Sequence, residues 1–86
     1  MAADKLTPAL IKDVTPNLNM MMKLITATSD DTADYVEMDD YDFTTVYAAW
    51  AVDVTDNSAV VCAISDSTKI TLTGTAGETT ILVIGV

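Results

Sequence analysis

Thr45-Val46-Tyr47-Ala48-Ala49-Trp50-Ala51-Val52-Asp53-Val54 is the stretch that decides the fold. Its β-branched and aromatic residues favour a pleated strand, and it holds neither Gly nor Pro. Period-two spacing sets Val46, Ala48, Trp50, Val52 and Val54 on one face, with Trp50 expected in the core. Thr55-Asp56-Asn57-Ser58 follows, built from residues whose short polar side chains bond nearby backbone. Ala59 to Ile64 then returns as a second apolar run, so the pair reads as an antiparallel hairpin.

The same grammar extends both ways. Upstream, Met20 to Ala27 reads as a strand, Thr28 to Thr32 as a turn, and Ala33 to Glu37 as a short strand. Met38 to Phe43, with Asp39, Asp40 and Asp42, reads as a loop or one helical turn. Downstream, Ser65 to Thr68 is a turn and Lys69-Ile70-Thr71-Leu72-Thr73 alternates polar with apolar, so one of its faces is wet. Gly74 and Gly77 provide turn positions that tolerate positive φ. Thr79 to Val86 is apolar without alternation, which predicts cover on both faces. The expected fold is all-β: a small antiparallel β-sandwich or barrel of about six strands over residues 19–86.

Residues 1–18 differ. They carry both prolines, Pro8 and Pro16, and two of the four lysines. Thr7 can cap a short helix with Pro8 at its first position, but so short a helix is unstable alone. The segment reads as an extended N-terminal arm that orders only against a neighbour. Leu6, Leu10, Ile11, Val14 and Leu18 are its candidate interface residues. Met20, Met21 and Met22 put a soft apolar group on both faces of the first strand, and so form a second candidate interface.

Composition excludes much chemistry. The chain has 86 residues, no His, no Arg, one Cys and a net charge of −9. Eleven Asp and two Glu against four scattered Lys oppose phosphate binding, so no nucleic-acid partner is expected. Cys62 has no Cys partner for a disulfide and no His to act as its base. The acidic run Asp30, Asp31, Asp34, Glu37, Asp39, Asp40 and Asp42 lacks calcium-loop spacing and is expected to be solvated. No catalytic residue, cofactor or metal site is therefore expected. The longest apolar run, Val46 to Val52, is too short to span a bilayer as a helix, and the first residues do not read as a signal peptide. The expectation is a protein made in the host cytoplasm, with no membrane partner. A chain this small buries a modest core, so subunit association is the expected further source of stability.

Residues Ala27 to Tyr41, the following Phe43-Thr44-Thr45-Val46 and the closing Thr79-Thr80-Ile81-Leu82-Val83-Ile84-Gly85 resemble, in cadence, small virion proteins of tailed bacteriophages. In those proteins a "gDtadvslsdYg" stretch precedes a strand and a "tvtvlViG"-like strand closes the chain. The resemblance covers residues 27–86 and leaves the arm unmatched. It implies a capsid cement or decoration protein on the virion surface, with the major capsid protein or another virion protein as partner and a homo-oligomer as its form. Neck and tail components are alternatives. A cell-surface carbohydrate- or calcium-binding β module is another, since Trp50 and three Tyr could stack on sugars.

Overall fold

The computed structural model describes residues 5–17, 20–29, 34–55, 57–73 and 77–86. Seven strands form the fold: β1 (Ala9–Asn17), β2 (Met20–Ser29), β3 (Tyr35–Glu37), β4 (Val46–Asp53), β5 (Ala59–Ser65), β6 (Lys69–Thr73) and β7 (Gly77–Gly85). One turn of 3-10 helix, Met38–Tyr41, joins β3 to the β4 approach. The strands make one sheet in the order β1-β2-β7-β4-β5-β6-β3. Every neighbouring pair is antiparallel. The all-β expectation holds, as a single curled sheet.

Curling follows from β5. Its start pairs with β4 through Ala51–Val60 and Val52–Ala59. Its remainder, Val61 to Ser65, pairs with β6. The strand is thus a corner between two halves that close on one core. Ile25 and Ala27 of β2, Ala51 of β4, and Ile81 and Val83 of β7 meet Val36, Met38, Phe43, Ile70 and Leu72 there. In β7 the inner positions Thr79, Ile81, Val83 and Gly85 are buried, while Thr80, Leu82 and Ile84 face outward half-buried. Gly85 is required where it stands: a Cβ there would run into the Thr45 carbonyl oxygen. Around it, the Thr44 and Thr45 amides donate to the Val86 carbonyl at 2.6 and 3.0 Å.

Two expectations are corrected. The Thr7–Pro8 stretch does not open a helix; Ala9–Asn17 is a strand on the β2 edge. Pro16 and the β-branched Ile11, Val14 and Thr15 fit an edge strand better than a helix interior. Trp50 is not in the core but 56% exposed. The reason is a bulge at Tyr47: Val46 pairs with Gly85, yet the next pair is Ala48–Ile84. One extra residue inverts the facing of everything after it. Ala49 and Ala51 turn inward, and Trp50 and Val52 turn outward.

The N-terminal segment also reaches the opposite edge. Lys5 bridges to Tyr35 of β3 in parallel, and the Leu6 amide donates to the Tyr35 carbonyl at 2.8 Å. Leu6 packs on the core. The Tyr41 hydroxyl donates to the Pro8 carbonyl at 2.7 Å. Lys5 Nζ lies 3.0 Å from Asp40 Oδ2. Residues 5–8 are thus a strap from the β3 edge to the β1 edge.

Candidate interaction surface

Groups capable of chemistry are scattered or occupied structurally. Cys62 sits mid-β5, half-buried against the core, and burial pushes its thiol up from its ordinary value. A raised thiol is a poor nucleophile at neutral pH. Asp39, Asp40 and Asp42 are exposed, as expected of a solvated segment. Asp42 accepts a left-handed φ of 74° where the 3-10 turn ends. Asp34 departs from the solvated expectation: it is buried, takes a hydrogen bond from Ser29 Oγ at 3.5 Å, and its carbonyl accepts the Leu72 amide at 2.8 Å. Asp30 and Asp31 lie outside the described residues. Among the described residues no group of three His, Cys, Asp or Glu side chains is arranged to hold a metal.

Lys23 is the unusual basic group. It projects from the inner face of β2, is buried, and has Nζ 3.4 Å from Asp13 Oδ2 on β1. Desolvating an ammonium is costly, and the carboxylate opposite offsets that cost. The pair fastens β1 to the sheet.

What remains is a surface. Cross-strand register places three rows on the outer face of β2, β7 and β4. Met22, Ile84 and Ala48 form the first; Leu24, Leu82 and Trp50 the second; Thr26, Thr80 and Val52 the third. Directly paired residues share a face, so each row is continuous across the three strands. Val61, the next residue of β5 after the Ala51–Val60 pair, is 66% exposed. No position in these rows is charged. Glu78 closes one end, where its carboxylate accepts from Thr26 Oγ1 at 3.4 Å, and Lys12 flanks Leu24 from β1.

The residues expected to make contacts divide around this surface. Met22 faces outward within it, Met20 sits one period along the same strand, and Met21 packs inward on the core. Leu10 and Ile11 are exposed on β1 at the edge, Val14 is opposite Met22 in register, and Leu6 belongs to the strap. Leu18 lies outside the described residues. Leu24, Val52 and Val61 were not among the expected contacts, and Trp50 was expected at a surface only in the sugar-binding alternative. The unalternating Leu24-Ile25 and Ile81-Leu82-Val83-Ile84 carry the signal, because apolar residues at successive positions must occupy both faces. No family model, curated protein or solved structure matches this chain.

Proposed function

We propose that this protein is a non-enzymatic virion component, a cement or decoration protein that stabilises a phage head by docking on it. The observation that carries the reading is the uncharged apolar outer face of β2, β7 and β4 on a chain of net charge −9. A solvated face of so acidic a chain would be expected to carry charge, whereas apolar rows suit a surface withdrawn from water by a partner. The cadence shared with small virion proteins supports the same reading, and the major capsid protein is the partner it names. Docking adds no chemistry: burial of apolar area supplies affinity, and many copies on one shell add avidity.

The test is co-expression with a tailed-phage major capsid gene, taken from beside this gene if one lies there, followed by gradient sedimentation. The protein is expected to travel with assembled shells and to raise their melting temperature. Free protein at the top of the gradient, with shells unaltered, refutes the head reading. Co-sedimentation with neck or tail assemblies instead would assign it there.

Exposed Trp50 and Tyr47, both on β4, favour a second reading as a carbohydrate-binding module. Sugar sites add polar side chains around the stacking ring to bond hydroxyls. Trp50 is opposite Leu82 in register and Val52 lies one period along its own strand, both apolar, so the virion reading is preferred. Retardation in polysaccharide-containing gels would reverse that preference.

A further inference from the structure

We infer that Tyr47 is a contact residue of the docking surface, inserted into β4 by the bulge and surplus to the sheet itself. The inference rests on the docking role proposed above for the outer face of β2, β7 and β4, and names a residue on which that docking depends. Its chemistry is that of an amphipathic anchor: a ring that covers apolar surface and a hydroxyl that bonds a polar group of the shell.

The ladder around the bulge is regular on both sides. Before it, the Thr45 amide donates to the Val86 carbonyl at 3.0 Å, the Val86 amide donates to the Thr45 carbonyl at 2.9 Å, and Val46 pairs with Gly85. After it, Ala48 to Asp53 pair with Ile84 to Thr79 without a break. Tyr47 and Ala48 together oppose Ile84. Without Tyr47 the same partners would follow one another in strict alternation: Val46 inward, Ala48 outward, Ala49 inward, Trp50 outward. These are the sides the four residues already take. The extra residue changes the count along the sequence and leaves every partner as it was.

The side chain that the bulge displays is unused by the rest of the chain. Of the three tyrosines, Tyr41 donates its hydroxyl to the Pro8 carbonyl at 2.7 Å, and the Tyr35 ring holds the Lys69 ammonium 4.3 Å from its centre. Tyr47 makes no such bond or ring contact among the described residues and is 59% exposed. It therefore adds little packing to offset the ladder it interrupts. A bulge that re-aims a side chain is a device of functional surfaces, and tyrosine is enriched where proteins meet.

Bulges also bend strands, and that is the competing account. The corner of this sheet lies in β5, where pairing passes from β4 to β6, whereas the bulge lies in β4 next to the Val46–Gly85 pair. At that place the surface offers a phenol beside the row of Met22, Ile84 and Ala48. The matching patch on the shell is apolar and uncharged, with one hydrogen-bonding group at the reach of the phenol. Loss of the ring and loss of the hydroxyl alone should then have separable effects on docking.

The experiment compares two single-residue deletions. Deleting Tyr47 leaves Ala48 opposite Ile84, and deleting Ala48 leaves Tyr47 there, so both remove the bulge and only one removes the ring. Both proteins should keep β-type circular dichroism and a urea midpoint within about 0.5 M of wild type. In co-sedimentation with assembled shells, the Tyr47 deletion should raise Kd by about tenfold or more, the mark of a contact that matters, while the Ala48 deletion stays within about threefold. Tyr47→Ser, which keeps the chain length, should also raise Kd by about tenfold or more. Tyr47→Phe should raise it about two- to tenfold, the worth of one neutral hydrogen bond. Unfolding or a large loss of midpoint in both deletions would overturn the inference, because the bulge would then be a bend that the sheet requires. Tyr47→Ser that docks like wild type would overturn it whatever the deletions do. Wild-type protein that ignores shells refutes the virion role, and the midpoints of the two deletions still decide whether Tyr47 is surplus to the sheet.

Discussion

At the scale of single residues, the sheet depends on a few that have no easy substitute. Lys23 is buried and Asp13 is half-exposed, 3.4 Å away. Removing the carboxylate strands a desolvated ammonium, whereas removing the ammonium leaves an exposed acid that water can serve. Asp13→Ala should therefore cost about 1–3 kcal/mol, at the lower end because water reaches this pair. Lys23→Met should be neutral or stabilising. Urea titrations of both variants check this, and equal losses would refute it. Gly85 is stricter. A Cβ would press on the Thr45 carbonyl and on Phe43, and both are fixed, one as backbone and one in the core. Gly85→Ala should cost about 1–3 kcal/mol, the usual range for overpacking, read from its denaturant midpoint. A midpoint equal to wild type would show that the β4 approach can yield.

At the scale of elements, the sequence was legible where periodicity and turn chemistry agree. Lys69–Thr73 has the expected boundaries and its alternation places Ile70 and Leu72 inward. The turn expected over Ser65 to Thr68 falls at Asp66 to Thr68, with Asp66 and Ser67 both at positive φ and Ser65 the last residue of β5. β4 was legible as a strand but not in its facing, because nothing in Val46-Tyr47-Ala48 announces a bulge. The single extra residue reversed the assignment of Trp50, and with it the most exposed aromatic of the candidate surface. The N-terminal segment was illegible for another reason. Ala9–Asn17 lacks clean alternation and contains Pro16, so its strand is created by pairing with β2. The strap is likewise tertiary. Removing residues 1–8 should leave β2 and β7 slow to exchange their amide hydrogens while β3 and the end of β6 exchange faster. Uniform acceleration would mean that the strap holds the whole sheet. One component is pH-dependent. The hydrogen bond that Lys5 donates to Asp40 raises the Lys5 ammonium above its ordinary value. Its contribution is therefore complete below that ordinary value and disappears as pH climbs through the raised one. As pH is raised, strap opening should accelerate only at strongly alkaline values, and acceleration near neutrality would point to another group.

At the scale of the whole molecule, one core is enclosed by a sheet that turns a corner at β5 and is strapped across its free edges. The uncharged rows of the outer face are open to a partner, and association through them would cover the side of the sheet that faces away from the core. The order of the strands has a kinetic corollary. β7 follows every other strand in sequence but lies between β2 and β4. Its pairing with β2 joins residues as far apart as Met21 and Gly85. Closing so long a loop comes before its reward, and sheets dominated by distant pairs form in milliseconds to seconds. During synthesis β2 and β4 leave the ribosome before the strand that separates them, so two apolar strands wait side by side for their common partner. The nascent chain is exposed to mispairing in that interval, and the delay, rather than any weakness of the finished sheet, would govern its yield in the cell.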